Sequence, residues 1–165
     1  MNYSLCPSKK ITFDKGIVSI SDILYTDNSY CSFEKSILPG EYIAEHIVNN
    51  TYSAFRIYHN DKDTKNKIAK NKSWRTFIAP HIDTSKTIGI FQNMRQLPAK
   101  YLKTIPEAVN DMAVDRIFFY EYPKKKAKGI FFRANNKHYR PYGIQTKGRL
   151  VAMEFRLYHN EQIIG

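Results

Sequence analysis

Much of what marks a sequence for one chemistry is missing here. The chain has two cysteines, Cys6 and Cys31, and they form neither a Cys-x-x-Cys pair nor zinc spacing with a second pair. One disulfide between them would be a small staple; reduced thiols in a cytosolic protein are the expected state. The opening residues Met1–Cys6 lack a basic segment followed by an apolar one, so no signal peptide is read. No apolar run approaches the roughly 20 residues needed to cross a bilayer. The expected location is therefore the cytoplasm, with no membrane partner. His46, His59, His81, His138 and His159 include no His-x-His or His-Glu-x-x-His pair, so no metal site is expected. Gly-x-Ser-x-Gly, P-loop and Gly-x-Gly-x-x-Gly motifs are absent, and no cofactor is called for. Acidic side chains are scarce as well: none occurs from Pro123 to Met153.

What is present is positive charge and aromatic surface. Lys plus Arg number 26 against 15 Asp plus Glu, a net charge of +11. Such an excess attracts polyanions and acidic proteins and says nothing about fold. Aromatics make up 14% of the chain, with 12 Tyr and 10 Phe, and these residues favour strands. A length of 165 residues fits one domain with a sizeable core.

Short alternating runs dominate. Ile11–Phe13 and Ile17–Ile20 read as strands, and Pro39-Gly40 as a turn. Tyr42–Val48 and Tyr52–His59 read as a hairpin closed at Asn49-Asn50, with Phe55, Ile57 and His59 on one face and Arg56 and Tyr58 on the other. Asn60–Lys72 carries five lysines without apolar periodicity and reads as a mobile loop, apart from any binding face. Trp74–Ile78 and Thr87–Phe91 read as strands around a turn at 79–83. Leu97–Met112 has helical spacing at Tyr101, Ile105, Val109 and Met112, split near Pro106. Four strands follow, Arg116–Tyr122, Gly129–Arg133, Tyr139–Gln145 and Arg149–His159, with Lys124–Lys128 as a charged hairpin loop. The architecture expected is mainly β, a two-sheet sandwich or open barrel with one or two short helices.

One segment echoes another. Phe55-Arg56-Ile57-Tyr58-His59-Asn60-Asp61 returns 100 residues later as Phe155-Arg156-Leu157-Tyr158-His159-Asn160-Glu161, and Tyr42 and Tyr142 align at the same offset. This predicts two similar hairpins, with Phe55 and Phe155 buried and Arg56 and Arg156 reaching solvent or an acidic partner. It also offers Arg56, His59, Arg156 and His159 as a composite anion site. The stronger candidate is the acid-free stretch, where Arg133, Lys137, His138, Tyr139, Arg140, Tyr142, Lys147 and Arg149 would form a positive, aromatic face on adjacent strands.

The order of these segments resembles the family known as domain of unknown function 4241. The resemblance rests on Pro39-Gly40-Glu41-Tyr42-Ile43-Ala44, Ala54-Phe55-Arg56-Ile57, Trp74, Ile82-Asp83-Thr84 leading to Gly89-Ile90-Phe91, Tyr139-Arg140-Pro141-Tyr142-Gly143, and the strand Gly148–Phe155. The Gly-Asp-Gly typical of the family is replaced by Asn135-Asn136-Lys137-His138. The resemblance implies a β-rich fold and a bacterial or phage origin, and no reaction.

Two functions suit these residues. The first is a binding protein whose basic face docks an acidic partner, either a protein such as an acidic toxin met by its immunity protein, or a nucleic acid. The second is a metal-free ribonuclease using His138, Arg140, Tyr142, Arg133 and His159 as acid, base and cations.

Overall fold

The computed structural model describes residues 3–4, 8–22, 32–76, 87–93, 116–122, 127–133 and 137–159. They form two antiparallel sheets and one helix. The first sheet holds β1 (Tyr3–Ser4), β2 (Lys9–Phe13), β5 (Gly40–Val48), β6 (Tyr52–His59), β7 (Arg75–Thr76), β11 (Arg140–Thr146) and β12 (Arg149–Tyr158). Its order is β1-β5-β6-β12-β11-β7, with β2 also pairing β5. The second sheet, in the order β4-β3-β8-β10-β9, holds β3 (Ile17–Asp22), β4 (Ser32–Ser36), β8 (Thr87–Gln92), β9 (Ile117–Tyr122) and β10 (Ala127–Arg133). The chain is a mainly β, two-sheet sandwich, as its alternating runs predict, and among the described residues neither sheet closes on itself. Just after β4, Ile37 bridges Leu150 and so ties the sheets together.

The period-2 pattern sets the layers. Phe55 and Ile57 on β6 and Met153 and Phe155 on β12 turn inward against Ile88, Ile90, Ile130 and Phe132 of the second sheet. Phe55 stacks on Phe132 with centroids 4.1 Å apart, and Phe132 lies 5.3 Å from Phe155. On the other face of the second sheet, two glycines make room for rings: a Cβ on Gly89 would meet Phe131, and one on Gly129 would meet Phe91. Lys147 and Gly148, both with positive φ, close the β11–β12 hairpin, as a two-residue turn of right-handed strands requires. The Asn49 side chain accepts from the N–H groups of Thr51 and Tyr52 and closes the β5–β6 hairpin.

The echo is real as structure. Both segments are second arms of hairpins, and β6 and β12 pair antiparallel with Phe55 directly opposite Phe155. The equivalence stops there, because Tyr42 lies opposite His59 while Tyr142 lies opposite Glu154.

The Lys-rich segment departs from expectation. Instead of a loop, Lys62–Lys70 is a helix, α1, capped by the Asp61 carboxylate accepting from Thr64 N–H at 2.7 Å. Asn71 in the left-handed region ends it. Asp63 in the first turn and Lys67 and Lys70 in the last suit the helix dipole. Apolar periodicity fails to show this helix because it rests on the sheet through little more than buried Thr64 and half-buried Ile68. Strand β7 falls within the predicted Trp74–Ile78, of which residues 77–78 lie outside the described residues. The predicted turn at 79–83, the Leu97–Met112 helix and Lys124–Lys126 lie outside the described residues.

Candidate functional site

The outer face of the first sheet, turned away from the second sheet, carries charge where a core face would carry none. Side chains directly opposite one another on paired strands share a face, so the register places them in rows. One row crosses four strands as Glu45, Arg56, Glu154 and Tyr142. The next runs Ile47, Ala54, Arg156 and Arg140. Glu154 is fully buried and is held from both sides: Arg56 Nη2 donates to one oxygen at 3.3 Å and Arg156 Nη2 to the other at 3.4 Å. Arg56 Nη1 also lies 3.9 Å from Glu45. The expectation that Arg56 and Arg156 reach solvent is thus corrected. They are 8% and 9% exposed because a buried carboxylate claims them.

Aromatic rings wall this ion cluster. The Arg156 guanidinium carbon sits 4.0 Å from the Tyr142 ring centroid, 4.5 Å from Tyr52 and 5.5 Å from Trp74, while Arg56 lies 5.8 Å from Trp74. Ala54 opposite Arg156 leaves space for that stack. At the rim, Tyr142 and Tyr158 hydroxyls hydrogen-bond at 2.9 Å, and Arg156 Nη1 donates to Tyr158 at 3.2 Å. Arg140 stands over the Tyr158 ring at 5.8 Å.

The surroundings shift the titrating groups in consistent ways. Burial pushes the Glu45 carboxyl above its usual range, with Arg56 opposing and Glu154 reinforcing. Burial, then the Tyr158 hydroxyl, raises Tyr142. Burial opposes the charge on Arg156, but Tyr158 and Glu154 hold its guanidinium protonated more firmly than usual. Three donors in the cluster, Arg56 Nε, Arg156 Nε and Trp74 Nε1, are closed off from water without a hydrogen-bond partner. Each such donor costs about 1–3 kcal/mol.

Only part of the expected positive face comes together. Arg133 ends β10 in the second sheet, whereas Arg140 and Arg149 begin β11 and β12 of the first, with Lys137 just before β11 and Lys147 in the turn between them, so the acid-free stretch is divided where the chain crosses between sheets. Lys128 is paired with Asp14 at 3.3 Å. Tyr139 is buried against Phe55 and Phe132, and burial pushes its hydroxyl up to about 12. It is a core ring, correcting its assignment to a binding face. Lys137 and His138 are exposed just before Arg140. Of the composite site, the two arginines converge but the histidines do not. His59 Nε2 meets the Pro39 carbonyl at 2.9 Å and His159 Nε2 the Asn49 carbonyl at 3.2 Å, at opposite ends of the antiparallel β6–β12 pair. The ribonuclease set is divided as well: Arg133 ends a strand of the second sheet and the His159 ring is taken up by the Asn49 carbonyl, while Arg140 and Tyr142 stand on β11.

Helix α1 supplies cations the sequence reading set aside. Ile68 packs with Trp74, Ile144, Val151 and Ala152, which seats the helix on this outer face. Lys67 Nζ donates to Thr146 Oγ1 at 2.7 Å, joining α1 to the β11–β12 hairpin. Lys62, Lys65 and Lys70 on this helix, and Lys147 and Arg149 on the hairpin it touches, are all exposed.

No family model, curated protein or solved structure matches the chain. No helix among the described residues is long and apolar enough to cross a membrane. The sequence analysis assigns no site role to Glu154, Glu45, Trp74, Tyr52 or Tyr158. For Glu154 a signal exists: it is an acid inside the otherwise apolar run Leu150–Phe155, where a buried charge demands partners.

Proposed function

We propose that this chain is a basic binding protein, of bacterial or phage origin, that docks an acidic protein on the outer face of its first sheet. The origin is what the likeness to the domain of unknown function 4241 family implies, and that likeness supplies no reaction. The observation that carries the reading is the Lys67–Thr146 contact, which joins lysine-bearing α1 to the β11–β12 hairpin with its exposed Lys147 and Arg149. A chain with a net charge of +11 steers acidic partners, and fixed cations convert that attraction into a shaped contact. An acidic protein suits the surface better than a nucleic acid. Strand binding draws on open ring faces for base stacking, and here Tyr139 is in the core while Tyr52 and Tyr142 are covered by Arg156.

The test is retention of the full chain on immobilised poly-L-glutamate across a salt series, with duplex DNA as the competitor. Retention at low salt should fall steeply as salt rises. Replacing Lys65, Lys70 and Lys147 together by Ala should flatten that dependence. Replacing Lys9 and Lys10 of β2, which pairs the far strand β5, together with Lys15 just after it, should do much less for the same loss of charge. Equal effects of the two triple variants, or no retention at low salt, would reject the proposal. Preferential capture by DNA would replace the acidic protein with a nucleic acid.

A further inference from the structure

Strand β2 follows β1 along the same side of β5 and forms one end of the first sheet. Which way its backbone points follows from the ladder beyond it. In an antiparallel sheet, successive residues of a strand turn their N–H and C=O groups to alternate sides. The Glu41 carbonyl accepts from Asn60 N–H at 2.9 Å, and Asn49 N–H donates to the Tyr52 carbonyl at 3.0 Å. The odd-numbered residues of β5 therefore bond toward β6, while Gly40, Tyr42 and Ala44 bond toward β2, where they lie opposite Phe13, Ile11 and Lys9. The N–H and C=O groups of Lys10 and Thr12 point the other way, off the edge of the sheet. Among the described residues no strand pairs with β2 on that side, and Lys10 and Thr12 are both exposed. The same alternation turns Asp14 N–H outward, where the Gln92 side chain accepts it at 2.9 Å and closes the edge at that end.

We propose that this edge takes up an extended segment of another protein as an added strand, one in which acidic residues alternate with apolar, β-branched ones. Main-chain hydrogen bonds at Lys10 and Thr12 hold the strand, and the side chains of β2 select it. The period of two sets the pattern. On the face of exposed Lys10 and Thr12, acidic side chains are favoured; on the face of buried Ile11 and Phe13, apolar ones continue the core. The neighbouring acids are already engaged. The Glu41 carboxylate, opposite Thr12, accepts from Asn60 Nδ2 at 2.7 Å, and Asp14 is paired with Lys128 at 3.3 Å. A second copy of this chain fits the edge less well, because its β2 brings the same Lys9 and Lys10 against these lysines. Strands β5, β6 and β12 separate β2 from β11, so this edge stands apart from the surface built on α1.

The probe is a fluorescein-labelled peptide of alternating Glu and Val, followed by anisotropy as the full chain is added at constant ionic strength. A peptide of alternating Lys and Val is its control. Saturable binding of the Glu-Val peptide is expected, with the Lys-Val peptide weaker. Thr12→Pro removes an outward N–H and sets a ring against the incoming strand, yet costs no hydrogen bond to β5. It should keep the fold, checked by thermal unfolding, and weaken the Glu-Val peptide about tenfold or more, the loss of at least one hydrogen bond. Lys10→Glu, at an exposed position, should weaken the Glu-Val peptide and tighten the Lys-Val peptide; it decides alone if Thr12→Pro does not fold. No saturable binding, tighter binding of the Lys-Val peptide by the parent chain, or affinity unmoved by these variants would overturn the proposal. So would a concentration-dependent dimer in sedimentation that Lys10→Glu or Thr12→Pro alters, which would give the edge to a second copy. Poly-L-glutamate is kept a coil by its own charge and offers no strand, so its retention reads the α1 surface and either result can fail without the other.

Discussion

Glu154 is the side chain on which the outer face turns. It is fully buried, and its two oxygens face two arginines that are themselves nearly sealed from water. A buried ion network adds little net stability against an apolar replacement, but removing one member strands the others. Glu154→Ala leaves two guanidinium groups without their acceptor and should cost about 3–5 kcal/mol in urea unfolding. The triple change of Arg56, Glu154 and Arg156 to Met should cost clearly less, since no charge is left buried alone. If the single variant unfolds at the same urea concentration as the parent, the cluster is not the ion network described.

At the level of elements, α1 shows how little apolar contact a helix needs when its ends are satisfied. Asp61 caps the first turn and Asn71 closes the last, so donors and acceptors that would face water are met locally. Burial alone would raise the Asp61 carboxyl; the hydrogen bonds from Thr64 and the nearby His59 and Lys67 charges outweigh it and hold the carboxyl below its ordinary value of 3.8. A depressed folded value makes the cap's contribution fully present above about pH 3.8 and progressively lost as pH falls below it. Asp61→Ala should cost about 1 kcal/mol at neutral pH and weaken the acid dependence in this window. Thermal unfolding of both proteins across that pH range checks the sign: a penalty that grows on acidification would contradict it.

The whole molecule is held by the contact between its sheets. Phe132 of the second sheet stacks on Phe55 and reaches Phe155 of the first, so the echoed strands meet their counterpart through one ring. Phe132→Ala should destabilise by about 3–5 kcal/mol, through lost burial plus the cavity left behind. Because the ring serves both layers, hydrogen exchange should rise in β6, β12 and β8 together. A rise confined to the second sheet would mean that the layers unfold separately.

Alternation of apolar and polar residues determined most of this fold from the sequence alone. Period-2 runs assign Tyr52–His59 and Arg149–His159 to strands and turn Phe55 and Phe155 inward, since one slip in register would expose every core residue. Lys147-Gly148 marks its turn because the hairpin needs positive φ at both positions. The site was legible only in outline. Arg56 and Arg156 stand out in the echo, but their partner Glu154 is 98 residues from Arg56 along the chain. No local pattern records that separation. The same holds for the division of the acid-free stretch, which follows from the crossing between sheets after Arg133, and for the seating of α1 beside Lys147. Local periodicity decides which way a side chain faces; only strand order and register decide which charges meet across the sheet, and so whether an arginine serves solvent, a partner or a buried carboxylate.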